Sequence, residues 1–296
     1  MGKGKRRYHE IPKYYLRGFC EPDTSFLWTF ERDKPFSPGN KGRANNPHRS
    51  GVGVTALRPD QYRALKRDGL VHFEYERRLG KQEHQADEVI RKLRAFESID
   101  DSEKYNLSEY ILLMNKRRTS RDKALQPLVQ KRIAVGYQAV RRLVDDAQFS
   151  KALKLQKELG YLGSDDGKTE YLRESMVRNV GLVIKEIAGM RWQFIKASLK
   201  DYFVTTDNPV VFDRNLGLVR SELIFPLSSD VTLFADRSDG KDLAYRDSSP
   251  NETRRLNSMI IMSADREIYS PRADEWIHKG WTRGFAFIGN EDGTTA

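Results

Sequence analysis

From residue 201 onward the chain breaks into short β-branched and aromatic runs: "YFVTTDNPVVF", "ELIFPLSSDVTLFA", "LNSMIIMSADREIYS" and "GFAFIG". Gly, Pro, Asp and Asn clusters separate them, a pattern that predicts strands joined by turns. On that reading residues 201–290 form a sheet in which 258–262 is a buried strand. Upstream the period changes. Apolar residues recur three and four apart at Leu79, Ala86, Val89, Ile90 and Leu93, and again at Leu107, Tyr110, Ile111 and Met114. That spacing predicts helices, the second opened by Ser102 as a cap. Further helices are expected over 127–159, starting at Pro127, and over 169–199, with the turn "GSDDGKT" (163–169) between them.

Closer to the start, "SFLWTFER" (25–32) predicts a strand, whereas the prolines and glycines of 33–60 predict a long loop. "YHEIPKYYLRGF" (8–19) is dense in aromatic and ionisable groups where chain segments are more often polar and frayed. Pairing with the sheet would order it. The expected fold class is therefore α+β: a mixed or antiparallel sheet built from the N-terminal segment and the C-terminal strands, with a helical block (about 60–199) inserted between them. One domain over 8–285 would follow a flexible basic arm (1–7) and precede a tail (286–296).

Composition narrows the function classes. Apolar residues make up 38% of the 296, enough for a real core, and Lys+Arg exceed Asp+Glu by 52 to 42, a net charge of +10. Such a surplus favours polyanionic partners, nucleic acid first among them. The one cysteine, Cys20, forms no intrachain disulfide and no Cys-based zinc site, which fits a reducing cytoplasm. No apolar run has signal-peptide or membrane-spanning length, so the expectation is a soluble cytoplasmic protein without a membrane partner. No Walker A, GxGxxG, HExxH or GxSxG pattern occurs, which weighs against P-loop ATPases, dinucleotide enzymes, zinc proteases and α/β-hydrolases.

"HEIPKYYLRGF", "EYERRLGKQE", "MNKRRTSR", "TTDNPVV", "FPLSSDVTL" and "NSMIIMSADREIYS", in that order and spacing, resemble the family called domain of unknown function 4238. The resemblance runs from about residue 8 to 272. It implies one compact fold and supplies no mechanism.

The chemistry must therefore come from residue types. His9, among Tyr8, Tyr14, Tyr15 and Arg17, is a candidate general acid or base; the alternative is a buried histidine that orders the first strand. Glu76 and Glu83 lie two turns apart on one helical face. With Asp207 from a strand end they would offer oxygen ligands to a magnesium ion; alternatively they pair with Arg77, Arg78 and Lys81. Asp207 and Asn208 before Pro209 also fit a turn that caps its own backbone. Asn257 either fixes a substrate group or ties two loops, and Arg266 either pairs with Asp207 or grips a phosphate. Arg17, Arg117, Arg118 and Arg121 complete the expected phosphate-binding set. His48 and His72 lack close partners in the sequence. The resulting expectation is a nucleic-acid-acting enzyme, a nuclease on RNA or DNA, in a toxin or phage-defence role. Its alternatives are a non-catalytic nucleic-acid- or protein-binding module and an enzyme for a small nucleotide or phosphorylated substrate. Oligomeric state is left open.

Overall fold

The computed structural model describes residues 7–9, 11–39, 45–59, 73–116, 180–212 and 221–283. The fold is α+β. β1 (Arg7–His9) leads into α1 (Lys13–Leu16) and a 3-10 turn (Arg17–Phe19), followed by β2 (Phe26–Glu31), β3 (His48–Gly51) and β4 (Leu57–Pro59). Helices α2 (Phe73–Arg94), α3 (Asp101–Lys116) and α4 (Val180–Ala188) come next. Then follow β5 (Arg191–Lys196), β6 (Thr205–Thr206), β7 (Val211–Phe212), β8 (Leu223–Pro226), β9 (Val231–Asp236), β10 (Ala244–Asp247), α5 (Pro250–Ser263), β11 (Glu267–Ser270) and α6 (Glu275–Arg283).

The strands form three sheets. β1 and β4 make a small antiparallel pair; β3-β2-β11-β6 is antiparallel throughout; β10-β5-β9-β8-β7 is mixed, with β10 parallel to β5. Because alternate strand residues point to opposite faces, the five-stranded sheet serves two cores. Trp192, Phe194, Leu223, Phe225 and Leu233 face the cluster shared with α1, α2 and α3, while Ile195, Ile224 and Phe234 face the cluster shared with α5, Phe30 and Ile268. Both clusters are dominated by fully buried large side chains, each contributing about 1.5–3 kcal/mol of hydrophobic stabilisation.

The helical stripes expected for α2 and α3 are the ones buried: Ala86, Val89, Ile90 and Leu93, then Leu107, Tyr110, Ile111 and Met114. The cap of α3 is Asp100 rather than Ser102. Asp100 Oδ1 accepts from Glu103 N (2.8 Å) and the Glu103 carboxylate accepts from Asp100 N (3.1 Å), a reciprocal capping box.

Four local expectations are corrected. Residues 258–262 lie in helix α5, not in a strand. Ser249 caps it by accepting from Glu252 N, Pro250 occupies the first turn, and Thr253, Leu256, Asn257, Ile260 and Ile261 are buried at helical spacing. Residues 191–196, read as the end of a long helix, are strand β5, an inner strand of the five-stranded sheet. The stretch 33–60 is not one loop, since it contains β3 and β4. Finally, "YHEIPKYYLRGF" joins the C-terminal sheet through side chains rather than as a strand. Only 7–9 pair, with β4, and Tyr15, Leu16 and Phe19 of the following helical turns are fully buried. It is β2 that hydrogen-bonds to the C-terminal β11.

That N-terminal turn is held by Arg94 at the end of α2. Its Nη1 donates to Tyr14 O (3.1 Å), Nη2 to Tyr15 O (2.8 Å) and Nε to Leu227 O (2.7 Å). Gly18 leaves room for the guanidinium, as a Cβ there would lie 2.4 Å from Nη2. Tyr15 Oη donates to Pro226 O (2.6 Å), so the Thr205 hydroxyl, 2.9 Å away, donates to Tyr15. Three distant parts of the chain thus meet at one residue cluster. Among the described residues no helix is long and apolar enough to cross a membrane.

Candidate active site

Strand register assembles a polar row across one face of the four-stranded sheet. Thr205 pairs with Tyr269, Tyr269 with Thr29, and Thr29 with His48. Residues directly opposite in antiparallel strands share a face, so these four side chains stand in line. Glu31 and Glu267 are paired one row away on that face, and Ser50 flanks it on the other side opposite Leu27. A cavity of about 290 Å³ opens here, lined by Thr29, His48, Ser50, Thr55, Ala56 and Glu267 among others.

His48 is 5% exposed, and its Nδ1 lies 3.5 Å from Glu31 Oε1. Glu31 is itself held. Lys34 Nζ donates to Oε1 (2.8 Å), and the buried Asn46 accepts from Glu31 N (2.8 Å) while donating to Glu31 O (2.9 Å). Next to this pair the hydroxyls are ordered. Thr55 Oγ1 donates to Gly51 O (2.8 Å), so Ser50 Oγ donates to Thr55 (2.9 Å) and Thr29 Oγ1 to Ser50 (3.2 Å). Tyr269 Oη donates to Glu267 Oε2 at 2.6 Å. An imidazole beside a carboxylate can exchange protons, and the hydroxyl row offers acceptor oxygens next to it. Backbone Ala56, in the left-handed region at φ 54°, turns the chain at the cavity wall.

A second cavity of about 310 Å³ lies against the first, bounded by Glu21, Phe26, Trp28 and Arg49. Arg49 donates to Glu21 from Nε (3.0 and 3.1 Å) and Nη2 (2.7 Å), and its guanidinium lies 4.1 Å above the Phe26 ring centre. The hydrogen bonds from Arg49 hold the Glu21 carboxyl below its ordinary pKa despite its burial cost.

The residues singled out in the sequence fall elsewhere. Asp207, 4% exposed, accepts from Asp265 N and Arg266 N, both at 2.9 Å, and Arg266 Nε lies 3.8 Å from it. The pairing of Arg266 with Asp207 is therefore present. Asp207 N also donates to Glu267 O (3.0 Å), so this turn positions the strand that carries Glu267. Asn208 Nδ2 donates to Ser263 O (2.7 Å), tying the turn to the end of α5. Asn257 Oδ1 accepts from Val204 N (3.1 Å) and its Nδ2 donates to Tyr202 O (2.7 Å), the loop-tying role. Arg17 is exposed on the 3-10 turn. Glu83 is half-buried on α2, and Glu76 lies on the same helix with its side chain outside the described residues. His9 pairs through its backbone with Leu57, the residue after Ala56 of the cavity wall, and its side chain too lies outside. Arg117, Arg118 and Arg121 are outside the described residues. Among the described residues no group of three His, Cys, Asp or Glu side chains is placed to hold a metal ion. Both Asp207 oxygens accept backbone hydrogens.

The residues missed were His48, Glu31, Thr29, Ser50 and Glu267. Alternation in "LWTFE" and "HRS" carried the signal, but only once 48–51 is recognised as a strand.

The profile of the family described as "Protein of unknown function (DUF4238)" matches residues 7–274. The chain belongs to the DUF4238 family. The match spans the polar row, the cavity and the Asp207 turn alike. No curated protein and no solved structure matches the chain.

Proposed function

We propose that this DUF4238 protein is an acid–base enzyme acting on a nucleic acid strand or a nucleotide, a phosphodiester hydrolase working in the cytoplasm with His48 at its centre. The observation that carries the reading is the buried His48, on the wall of a cavity whose remaining polar lining is hydroxyls, the Glu267 carboxyl and Arg49, with the half-buried Glu31 carboxylate 3.5 Å from its Nδ1. Glu31 would fix the imidazole tautomer and Nε2 would take or give the proton, a role of the kind worth about 10²–10⁴-fold in rate. The net charge of +10 supports a polyanionic substrate. At about 290 Å³ the cavity sits at the lower end of the ~300–1,000 Å³ usual for small-ligand sites, which suits one nucleotide unit rather than a duplex.

The test is incubation of the full chain with labelled single-stranded RNA, single-stranded DNA, duplex DNA and free nucleotides, with and without magnesium. His48→Asn and Glu31→Gln should slow turnover by ~10²–10⁴-fold while melting close to wild type. Equal turnover in His48→Asn removes the site, and no turnover on any substrate removes the enzyme. Salt-sensitive binding without turnover would instead favour the non-catalytic binding module.

A further inference from the structure

Phe26 and Trp28 are alternate residues of β2, and the strand pairing sets Arg49 directly opposite Trp28 and Gly51 opposite Phe26. All lie on the sheet face opposite the His48 row. A glycine across from Phe26 keeps that position low: even a Cβ at Gly51 would come no nearer than 3.8 Å to the ring. The result is a shallow shelf at the sheet edge. Phe26 remains 41% exposed, a large fraction for a phenyl ring on a strand, and Val54 at the adjoining cavity is 56% exposed. Glu21 grips Nε and Nη2 of Arg49, so the guanidinium is held 4.1 Å from the ring centre while 31% of the side chain stays open. Glu21 thus settles the orientation of Arg49 rather than covering it.

We propose that this shelf is a stacking subsite for one unpaired nucleobase. The inference rests on the nucleic-acid reading above and deepens it by naming a single-stranded or mononucleotide substrate. Three features point to that chemistry. Aromatic rings and a guanidinium held at a ring are surfaces on which splayed-out bases stack, and a cation 4.1 Å from the Phe26 ring centre adds to such a stack. A guanidinium carries five N–H donors; Glu21 takes the one on Nε and one of the two on Nη2, and the two on Nη1 can serve a base carbonyl or a phosphate. The shelf cavity and the His48 cavity share Phe26 and Arg49 as walls, so the two adjoin around the β3 edge of the sheet, and a strand whose base sits on the shelf would run on toward the His48 cavity. A duplex, whose bases are already stacked, has no free face to offer.

The test measures affinity of the full-length protein for three labelled probes: a single-stranded oligonucleotide, the same length of abasic sugar-phosphate strand, and a duplex. Phe26→Leu should weaken the single strand by about 5- to 150-fold, the range for loss of one stacked base, and leave the abasic strand unchanged. Phe26→Tyr, which restores a ring, should recover wild-type affinity, and adenosine monophosphate should compete with the single strand. Equal weakening of the base-bearing and abasic strands, or tighter binding of duplex than single strand, overturns the subsite. The two readings fail separately. Wild-type affinity in Phe26→Leu beside His48-dependent turnover removes the subsite alone; base-selective weakening without turnover on any substrate removes the enzyme alone.

Discussion

Replacing Arg94 by methionine tests the joint on which the N-terminal turn depends. Methionine keeps much of the side-chain length but donates no hydrogen bond. The change orphans three carbonyls, those of Tyr14, Tyr15 and Leu227, which now accept at 2.7–3.1 Å from one cation. Each buried acceptor left unmade costs about 1–3 kcal/mol. Set against this is the relief of a poorly solvated charge, since burial pulls the Arg94 guanidinium below its ordinary pKa. Rotation of the carbonyls toward residual solvent offsets part of the rest, because the side chain as a whole is only partly buried. The net loss should be about 3–4 kcal/mol. At roughly 2–3 °C per kcal/mol for a chain of this size, the melting temperature should fall by ~6–12 °C. Arg94→Lys separates charge from geometry. An ammonium cannot span three acceptors arranged for a planar fork, so it should recover less than half of the loss. Calorimetry on the three proteins decides the matter. A methionine variant melting within about 1 °C of wild type, or a lysine variant equal to wild type, would refute the idea that the fork holds the turn.

Gly18→Ala should reproduce much of that loss, because its Cβ would meet Nη2 at 2.4 Å, and its effect should be far from additive with Arg94→Met in a double-mutant cycle. Asn257→Ala leaves Val204 N and Tyr202 O unpaired in the core and should cost ~2–4 kcal/mol, whereas Arg266→Ala, losing a half-exposed 3.8 Å ion pair, should cost at most ~1 kcal/mol; urea unfolding ranks the two. Acid should destabilise the fold through Glu21 and Glu252, whose carboxyls sit below their ordinary pKa because Arg49 and Arg246 hydrogen-bond them. Their folded values are depressed, so the stability they add is complete above the unfolded value of ~4.3 and is lost as pH falls through the folded values. Urea midpoints at two pH values should therefore drop on acidification, and less steeply in Glu252→Gln; an unchanged slope in that variant would count against the assignment.

Helices with apolar stripes were legible because their period is repeated: α2 buries Ala86, Val89, Ile90 and Leu93, and α3 buries Leu107, Tyr110, Ile111 and Met114, the positions that the spacing selects. Short apolar runs were not. "LNSMIIM" satisfies a strand and a helix equally until the cap is read, and the Ser249–Glu252 pair three residues apart was the deciding signal. The candidate site was hidden for a different reason. His48 and Glu31 are seventeen residues apart in sequence and meet only through the pairing of β2 with β3, a non-local register that prolines and glycines around residues 33–60 disguised as loop. Conversely, Asp207 drew attention as a strand-end carboxylate and Asn257 as a buried polar residue, and main-chain groups hold both, with Arg266 also beside Asp207. Chemistry of that kind reads the same in a sequence whether it serves a substrate or the backbone.

Tyr15 binds residues 190 and 211 positions further along the chain, and Gly18 O accepts from Ser229 N. During synthesis, the aromatic turn therefore leaves the ribosome long before these partners exist, and it must wait with Tyr14, Tyr15, Leu16 and Phe19 unsheltered. Contacts of such span close slowly, so a segment made well before its partners is among the last to settle, and a chaperone that holds it during that interval should raise the yield of native protein.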